Sequence, residues 1–140
     1  MKLSAKSRYG TRLMLDMAQH YKQGPIHLAQ VATRQGISVK YLEQIIIPLK
    51  KADYIRSVRG PKGGHTLAMA PEEITVGEIV ALLEEGTSLV ECSHNDKVCE
   101  RSQTCLTRWL WNEAGRALFD KLYSITLADV MNGAGAGTAK

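Results

Sequence analysis

The stretch that most restricts the fold runs from Leu28 to Met69, where two short helical patterns around a glycine turn lead directly into a basic hairpin. Leu28, Val31 and Ala32 mark about two helical turns that stop at Gly36. Ser38 then stands where a helix cap is needed, and Leu42, Ile45, Ile46 and Leu49 supply the inward face of the helix it opens. Two short helices around a glycine turn make a helix-turn-helix pattern. The outward side of the second helix carries Lys40, Tyr41, Glu43 and Gln44 near its amino end. Pro48 lacks the amide that would bond to the carbonyl of Gln44, so the last turn is expected to kink or loosen.

The segments Tyr54-Ile55-Arg56-Ser57-Val58-Arg59 and His65-Thr66-Leu67-Ala68-Met69 alternate in polarity around Gly60-Pro61-Lys62-Gly63-Gly64, which predicts a β-hairpin. Its tip carries Arg59 and Lys62, with Arg56 one strand-step behind. A helix-turn-helix followed at once by such a hairpin is a winged helix. The expected fold class is mainly α, with a β-hairpin wing and a long carboxy-terminal dimerisation helix.

Charge supports a polyanionic partner for the first half of the chain. Residues 1–70 hold 12 Lys and Arg against three acids, a balance of +9; residues 71–140 hold six against 11, a balance of −5. The first part is therefore expected to meet double-stranded DNA and the second is not. Apolar residues at 44% and charged residues at 23% fit a globular chain and argue against disorder. No apolar run reaches the roughly 18 residues that span a bilayer, and the first residues alternate basic and apolar without a secretory core. The expectation is a cytoplasmic protein with no membrane partner.

The flanking segments are helical. Ser4 or Ser7 can cap a first helix running to about Lys22, with Leu13, Met14, Met17, Ala18 and Tyr21 on one face. Thr75 and Glu78 have capping-box spacing, with Ile74 and Ile79 as a hydrophobic staple, before a helix that ends near Glu85-Gly86. From about Thr104 to Ser124 a long stripe comprises Leu106, Trp109, Leu110, Ala114, Ala117, Leu118, Leu122 and Ile125, widened by Trp111. So broad a stripe exceeds what one small winged helix covers. A homodimer is expected, together with packing on the first helix of the same chain. A short helix from Thr126 turns Leu127 and Val130 inward. The expected division is a DNA-binding domain at 1–85, a cysteine loop at 86–105, the dimerisation and terminal helices at 104–131, and a flexible tail at 132–140.

Cys92, Cys99 and Cys105 are the only cysteines, spaced C-x6-C-x5-C. An odd cluster without an export signal fits metal or redox chemistry better than a disulfide framework. The gaps are wider than the paired cysteines of zinc fingers, and wide gaps suit an iron–sulfur cluster. Zinc, a thiol redox switch and an inert loop remain as alternatives on spacing alone. Cys105 falls at the start of the long helix, where the dipole favours a thiolate.

Several segments together resemble the IscR-type iron–sulfur regulators, bacterial winged-helix transcription factors. They are Lys6-Ser7-Arg8-Tyr9, Arg34-Gln35-Gly36-Ile37-Ser38, Tyr41-Leu42-Glu43-Gln44, Ser57-Val58-Arg59-Gly60-Pro61, Gly63-Gly64, Thr75-Val76-Gly77-Glu78, the three cysteines, Leu106-Thr107, Trp111 and Ile125-Thr126-Leu127. The resemblance runs from Lys2 to about Met131. It implies that Glu43 and Gln44 face bases in the major groove and that Arg59 enters the minor groove. It also implies that Cys92, Cys99 and Cys105 ligate an iron–sulfur cluster, [2Fe–2S] ahead of [4Fe–4S], which tunes DNA binding.

The chemistry of the side chains agrees with that assignment. Gln44 suits a two-point contact to adenine, Glu43 accepts from cytosine, and Arg59 suits a narrow, negative groove. Lys40, Arg56 and Lys62 suit phosphates, and Ser38 completes the expected DNA-binding set. One departure stands out. Where the family completes its cluster with a histidine or a carboxylate, this chain has Arg108 and Arg8, which do not ligate iron. The fourth ligand is open, with His94 the leading protein candidate beside Asp96 and Glu100. The expected function is a dimeric regulator that senses iron, oxygen or nitric oxide through the cluster; the alternative is a cluster-free thiol-switch or partner-bound repressor. An electron carrier leaves the winged helix without a role. No nucleophile–base pair or phosphate-cradling loop points to an enzyme.

Overall fold

Ser4 opens the first helix by accepting a hydrogen bond from the amide of Ser7 at 3.1 Å, and that local bond sets the start of α1 at Ala5–Gln19. The computed structural model describes residues 2–90, Lys97 and 104–133. Ser7, the other possible cap, is buried instead, and its hydroxyl donates to Glu84 Oε1 at 2.6 Å. α1 stops three residues before Lys22, because the chain turns there with positive φ at Lys22 and Gly24.

α2 (Leu28–Gln35) ends on Gly36 at φ +64°, a left-handed position that glycine takes without strain. α3 (Val39–Lys51) begins where Ser38 accepts from the amide of Tyr41 at 3.1 Å. Pro48 does not end α3. The amide of Ala52 bonds to the Pro48 carbonyl at 3.0 Å, and the buried Ile45 and Leu49 hold the turn on either side of the ring. Tertiary burial outweighs the one amide bond that proline forgoes.

The wing is β1 (Ile55–Val58) against β2 (Gly64–Leu67), antiparallel, with Ile55 opposite Leu67 and Val58 opposite Gly64. Ile26, just before α2, pairs with His65 through two backbone bonds of 2.9 and 2.8 Å and ties the wing to the helix-turn-helix. A Cβ on Gly64 would lie 2.6 Å from the Ile26 carbonyl oxygen, so this approach requires glycine.

A short 3₁₀ turn at Pro71–Glu73 leads to α4 (Val76–Leu83), started by the expected capping box of Thr75 and Glu78. The long α5 (Leu106–Tyr123) and short α6 (Leu127–Met131) follow, the latter with its own capping box of Thr126 and Asp129. The amides of Val76 and Leu127 bond to the carbonyls of Ile125 and Ile74, so the starts of α4 and α6 are stitched together. Leu127 is thereby buried in one core with Leu13, Met14, Leu42, Ile45, Ile55, Ile74 and Ile79. Val130, the other residue expected inward on α6, stays partly exposed.

α5 packs mainly on α4 rather than on α1, the helix expected from its stripe. A Cβ on Gly77 would lie 2.6–2.7 Å from the ring and backbone nitrogen of Tyr123, so a glycine on α4 lets the helices close. Gly115 and Phe119 are the buried residues of α5, whereas Leu106, Trp109, Leu110, Trp111 and Leu118 are exposed. A helical stripe specifies a face but not the partner that covers it.

Candidate nucleic-acid interface

The helical repeat of α3 puts Lys40, Glu43 and Gln44 on one face, three and four residues apart, and all three are exposed. Ser38 is exposed too, although its hydroxyl already serves as the cap. Tyr41 is only half-exposed. Its ring meets Tyr9 of α1 edge to face, with centroids 5.7 Å apart and planes at 89°, a geometry that favours aromatic pairs. Tyr41 therefore anchors the amino end of α3 on α1 as well as bordering the exposed face of Lys40, Glu43 and Gln44. Ile47 continues that face and is 52% exposed. Sequence reasoning passed over it, though its absence from the inward face was the available signal. An exposed β-branched side chain suits contact with thymine methyl groups.

A buried carboxylate fixes α2 against α1. Asp16 is 1% exposed and sits on the apolar face of α1 beside Leu13 and Met17. Arg34 grips it with two bonds, Nε to Oδ2 at 2.9 Å and Nη2 to Oδ1 at 2.6 Å, and Gln35 Nε2 donates to Oδ2 at 3.1 Å. Burial alone would push the Asp16 pKa up, but the bonds from Arg34 and Gln35 together with the Arg34 charge hold it below the usual range. Hydrogen bonding to Asp16 correspondingly raises the pKa of Arg34. Sequence reasoning missed this clamp; the cue was a lone acid on an apolar stripe.

On the wing, Arg56, Arg59 and Lys62 are all exposed, and Gly60 at φ +106° turns the tip between them. Among the described residues no carboxylate pairs with these three or with Lys40. At the base of the wing, His65 is half-buried and its Nδ1 lacks a hydrogen-bond partner. Burial first, then the charges of Lys50 and His27, lower its pKa and favour the neutral ring. The face thus presents unpaired cations around a strip of hydrogen-bonding groups, which is what a DNA groove flanked by phosphates accepts.

Cys105 is the residue that caps α5, half-exposed, with Sγ 3.1 Å from the hydroxyl of Thr107. Its side chain makes no capping hydrogen bond, so the sulfur stands at the amino end of the 18-residue α5 without serving the helix amides. Cys92 and Cys99 lie outside the described residues, as do His94, Asp96 and Glu100 and the tail from residue 134. Among the described residues no helix is long and apolar enough to cross a membrane.

Residues 3–133 match the family described as "Rrf2: Iron-dependent Transcriptional regulator". The protein named rrf2 of Nitratidesulfovibrio vulgaris is 49% identical over 134 residues, covering 96% of this chain and 89% of its own. The solved structure of T. potens IscR superposes with a TM-score of 0.78 at 39% identity, over 96% of this chain and 88% of that one. An oxidized form of Staphylococcus aureus CymR superposes with a TM-score of 0.73 at 37% identity, over 94% and 96% of the two chains.

Proposed function

The chain belongs to the Rrf2 family of transcriptional regulators, similar to IscR, and on that premise we propose that it is a dimeric operator-binding regulator controlled by an iron–sulfur cluster. The observation that carries the DNA-binding half is the exposed row Lys40, Glu43 and Gln44 on α3, beside a wing bearing Arg56, Arg59 and Lys62. Gln44 pairs with adenine through its amide, Glu43 accepts from the cytosine amino group, and Arg59 inserts into the minor groove. Lys40, Arg56 and Lys62 hold phosphates, and Ser38 and Tyr41 border the contact. The exposed apolar side chains of α5 form the seam with a second copy, which sets the spacing of the two reading helices.

Cys92, Cys99 and Cys105 would hold the cluster, [2Fe–2S] ahead of [4Fe–4S], with His94 the leading protein candidate for a fourth ligand. When bound, it supplies a centre whose occupancy or oxidation state follows iron, oxygen or nitric oxide, a signal suited to iron and iron–sulfur homeostasis genes. Cys105 joins the cysteine segment to the first turn of α5, so ligation there bears directly on Leu106, Trp109 and Leu110. Restraint at that turn alters the seam and, through it, the distance between the two α3 helices. A second reading, a cluster-free thiol switch, is favoured by the likeness to a CymR solved in an oxidized form.

The test is anaerobic purification with visible absorption, iron and sulfide analysis, and gel shifts on palindromic DNA in loaded and stripped states. The expected protein is brown, loses colour on replacement of any one cysteine by Ser, and changes operator affinity with loading. Iron-free protein that resists reconstitution, with DNA binding that follows thiol oxidation, favours the second reading. Equal affinity in both cluster states overturns cluster control.

A further inference from the structure

Residues 1–42 contain seven Lys and Arg and a single acid, Asp16. Because Asp16 is buried and bound to Arg34, no carboxylate of this segment reaches its surface. Two of its cations are arranged around one ring. The guanidinium carbons of Arg8 and Arg12 lie 5.6 and 5.5 Å from the centroid of Tyr9, within the range of a cation–π contact. Tyr9 is the residue whose ring meets Tyr41 on the recognition helix. Arg12 is held further by Gln35, through Oε1 at 3.1 Å and through the backbone carbonyl. Both arginines are exposed, and among the described residues neither pairs with a carboxylate. The acid closest in bonding to this end of α1, Glu84, is engaged by Ser4 and Ser7.

Two like charges one helical turn apart repel each other, and nothing within the described chain neutralises them. Stacking on Tyr9 fixes the arginines while leaving N–H donors toward solvent, and a planar guanidinium suits phosphate oxygens. The position beside the amino end of α3 lies outside the helix-turn-helix and wing contacts already described. We propose that Arg8 and Arg12, stacked about Tyr9, form a phosphate anchor on α1 that grips the DNA backbone flanking the groove entered by α3. The anchor adds affinity without reading bases, and the Tyr9–Tyr41 contact keeps it in register with the reading helix. The inference rests on the DNA-binding reading above.

Arg8 is the cleaner residue to change, since Arg12 also holds Gln35. Affinity is measured by fluorescence anisotropy over a salt series, with a palindromic duplex selected from a random pool and a scrambled duplex. For Arg8→Gln, the slope of log affinity against log salt becomes shallower by about 0.9 for each protomer bound, on both duplexes alike. The affinity ratio between the two duplexes stays within about twofold, because phosphate contacts carry no sequence information. Arg8→Lys restores the slope. Gln44→Ala behaves oppositely, collapsing the ratio and keeping the slope. An unchanged slope in Arg8→Gln overturns the anchor, and a loss of dimer in that variant by light scattering assigns Arg8 to the second copy instead. If wild-type protein prefers no selected duplex and Gln44→Ala changes nothing, the DNA-reading proposal itself fails.

Discussion

The amino-terminal winged helix and the long helix α5 treat their apolar residues in opposite ways. In the first, Leu13, Leu42, Ile45, Leu49, Ile55 and Ile79 are all essentially inaccessible to solvent. In the second, Leu106 is 82% and Trp109 62% exposed, and the buried contribution comes from Gly115 and Phe119. Burying one large apolar side chain stabilises by roughly 1.5–3 kcal/mol, so the winged helix is stable through contacts made within one chain, Leu127 of α6 included. α5 leaves comparable surface in water in the single chain. The contrast separates a winged helix whose apolar side chains are covered within one protomer from a helix whose apolar side chains stay exposed, the face proposed above for a second copy.

The contrast can be broken or sharpened by substitution. Leu42→Ala, in the sealed core, is expected to cost about 3 kcal/mol in denaturant unfolding, and a loss below about 1 kcal/mol would show a looser core. Trp109→Ala should barely change protomer unfolding but weaken the dimer roughly thirtyfold, or about 2 kcal/mol, by analytical ultracentrifugation. An unchanged dimer would remove α5 from the seam. Gly77→Ala places a methyl against Tyr123 and should cost about 1.5 kcal/mol. Tryptophan emission from Trp109 and Trp111 then reports α5 separating from α4 before the winged helix unfolds.

The smallest effect is expected at the clamp, where Asp16→Asn keeps the shape and loses the charge, for about 1 kcal/mol at neutral pH. Its sign with pH is set by the lowered pKa of Asp16. The unfolded chain takes up a proton near pH 4, whereas the folded carboxylate resists it. The stabilisation is therefore complete above about pH 4 and is lost as pH falls through the folded value. Thermal melts of Asp16→Asn should lose that portion of the acid dependence. A melt curve parallel to wild type below pH 4 would assign the acid dependence to other groups, of which Glu84 is one, its pKa lowered first by the Ser7 hydroxyl.

The readable parts of the fold are those written in adjacent residues. Gly36 and Ser38 end and begin helices through bonds within four residues, and so do the Thr75–Glu78 and Thr126–Asp129 boxes. The wing was legible because alternation and a glycine-rich turn are both local. The candidate DNA residues were legible for the same reason, since helical spacing alone assigns Lys40, Glu43 and Gln44 to one face. Tyr41 is the instructive exception. Its place in the repeat suggested an outward residue, while Tyr9, 32 positions earlier, holds it half inside.

Chain-local chemistry determined where helices start, where the hairpin turns, and which half of the molecule is positive. Each follows from short-range hydrogen bonding, backbone freedom or simple charge, and none requires knowing what lies across the core. Folding in three dimensions decided that α5 leans on α4, that Leu127 completes a core begun at Leu13, and that Asp16 finds Arg34. It also decided that Pro48 could remain inside α3. These outcomes depend on which distant surfaces meet, and the free energy of burying a surface is indifferent to the order in which its residues occur along the chain.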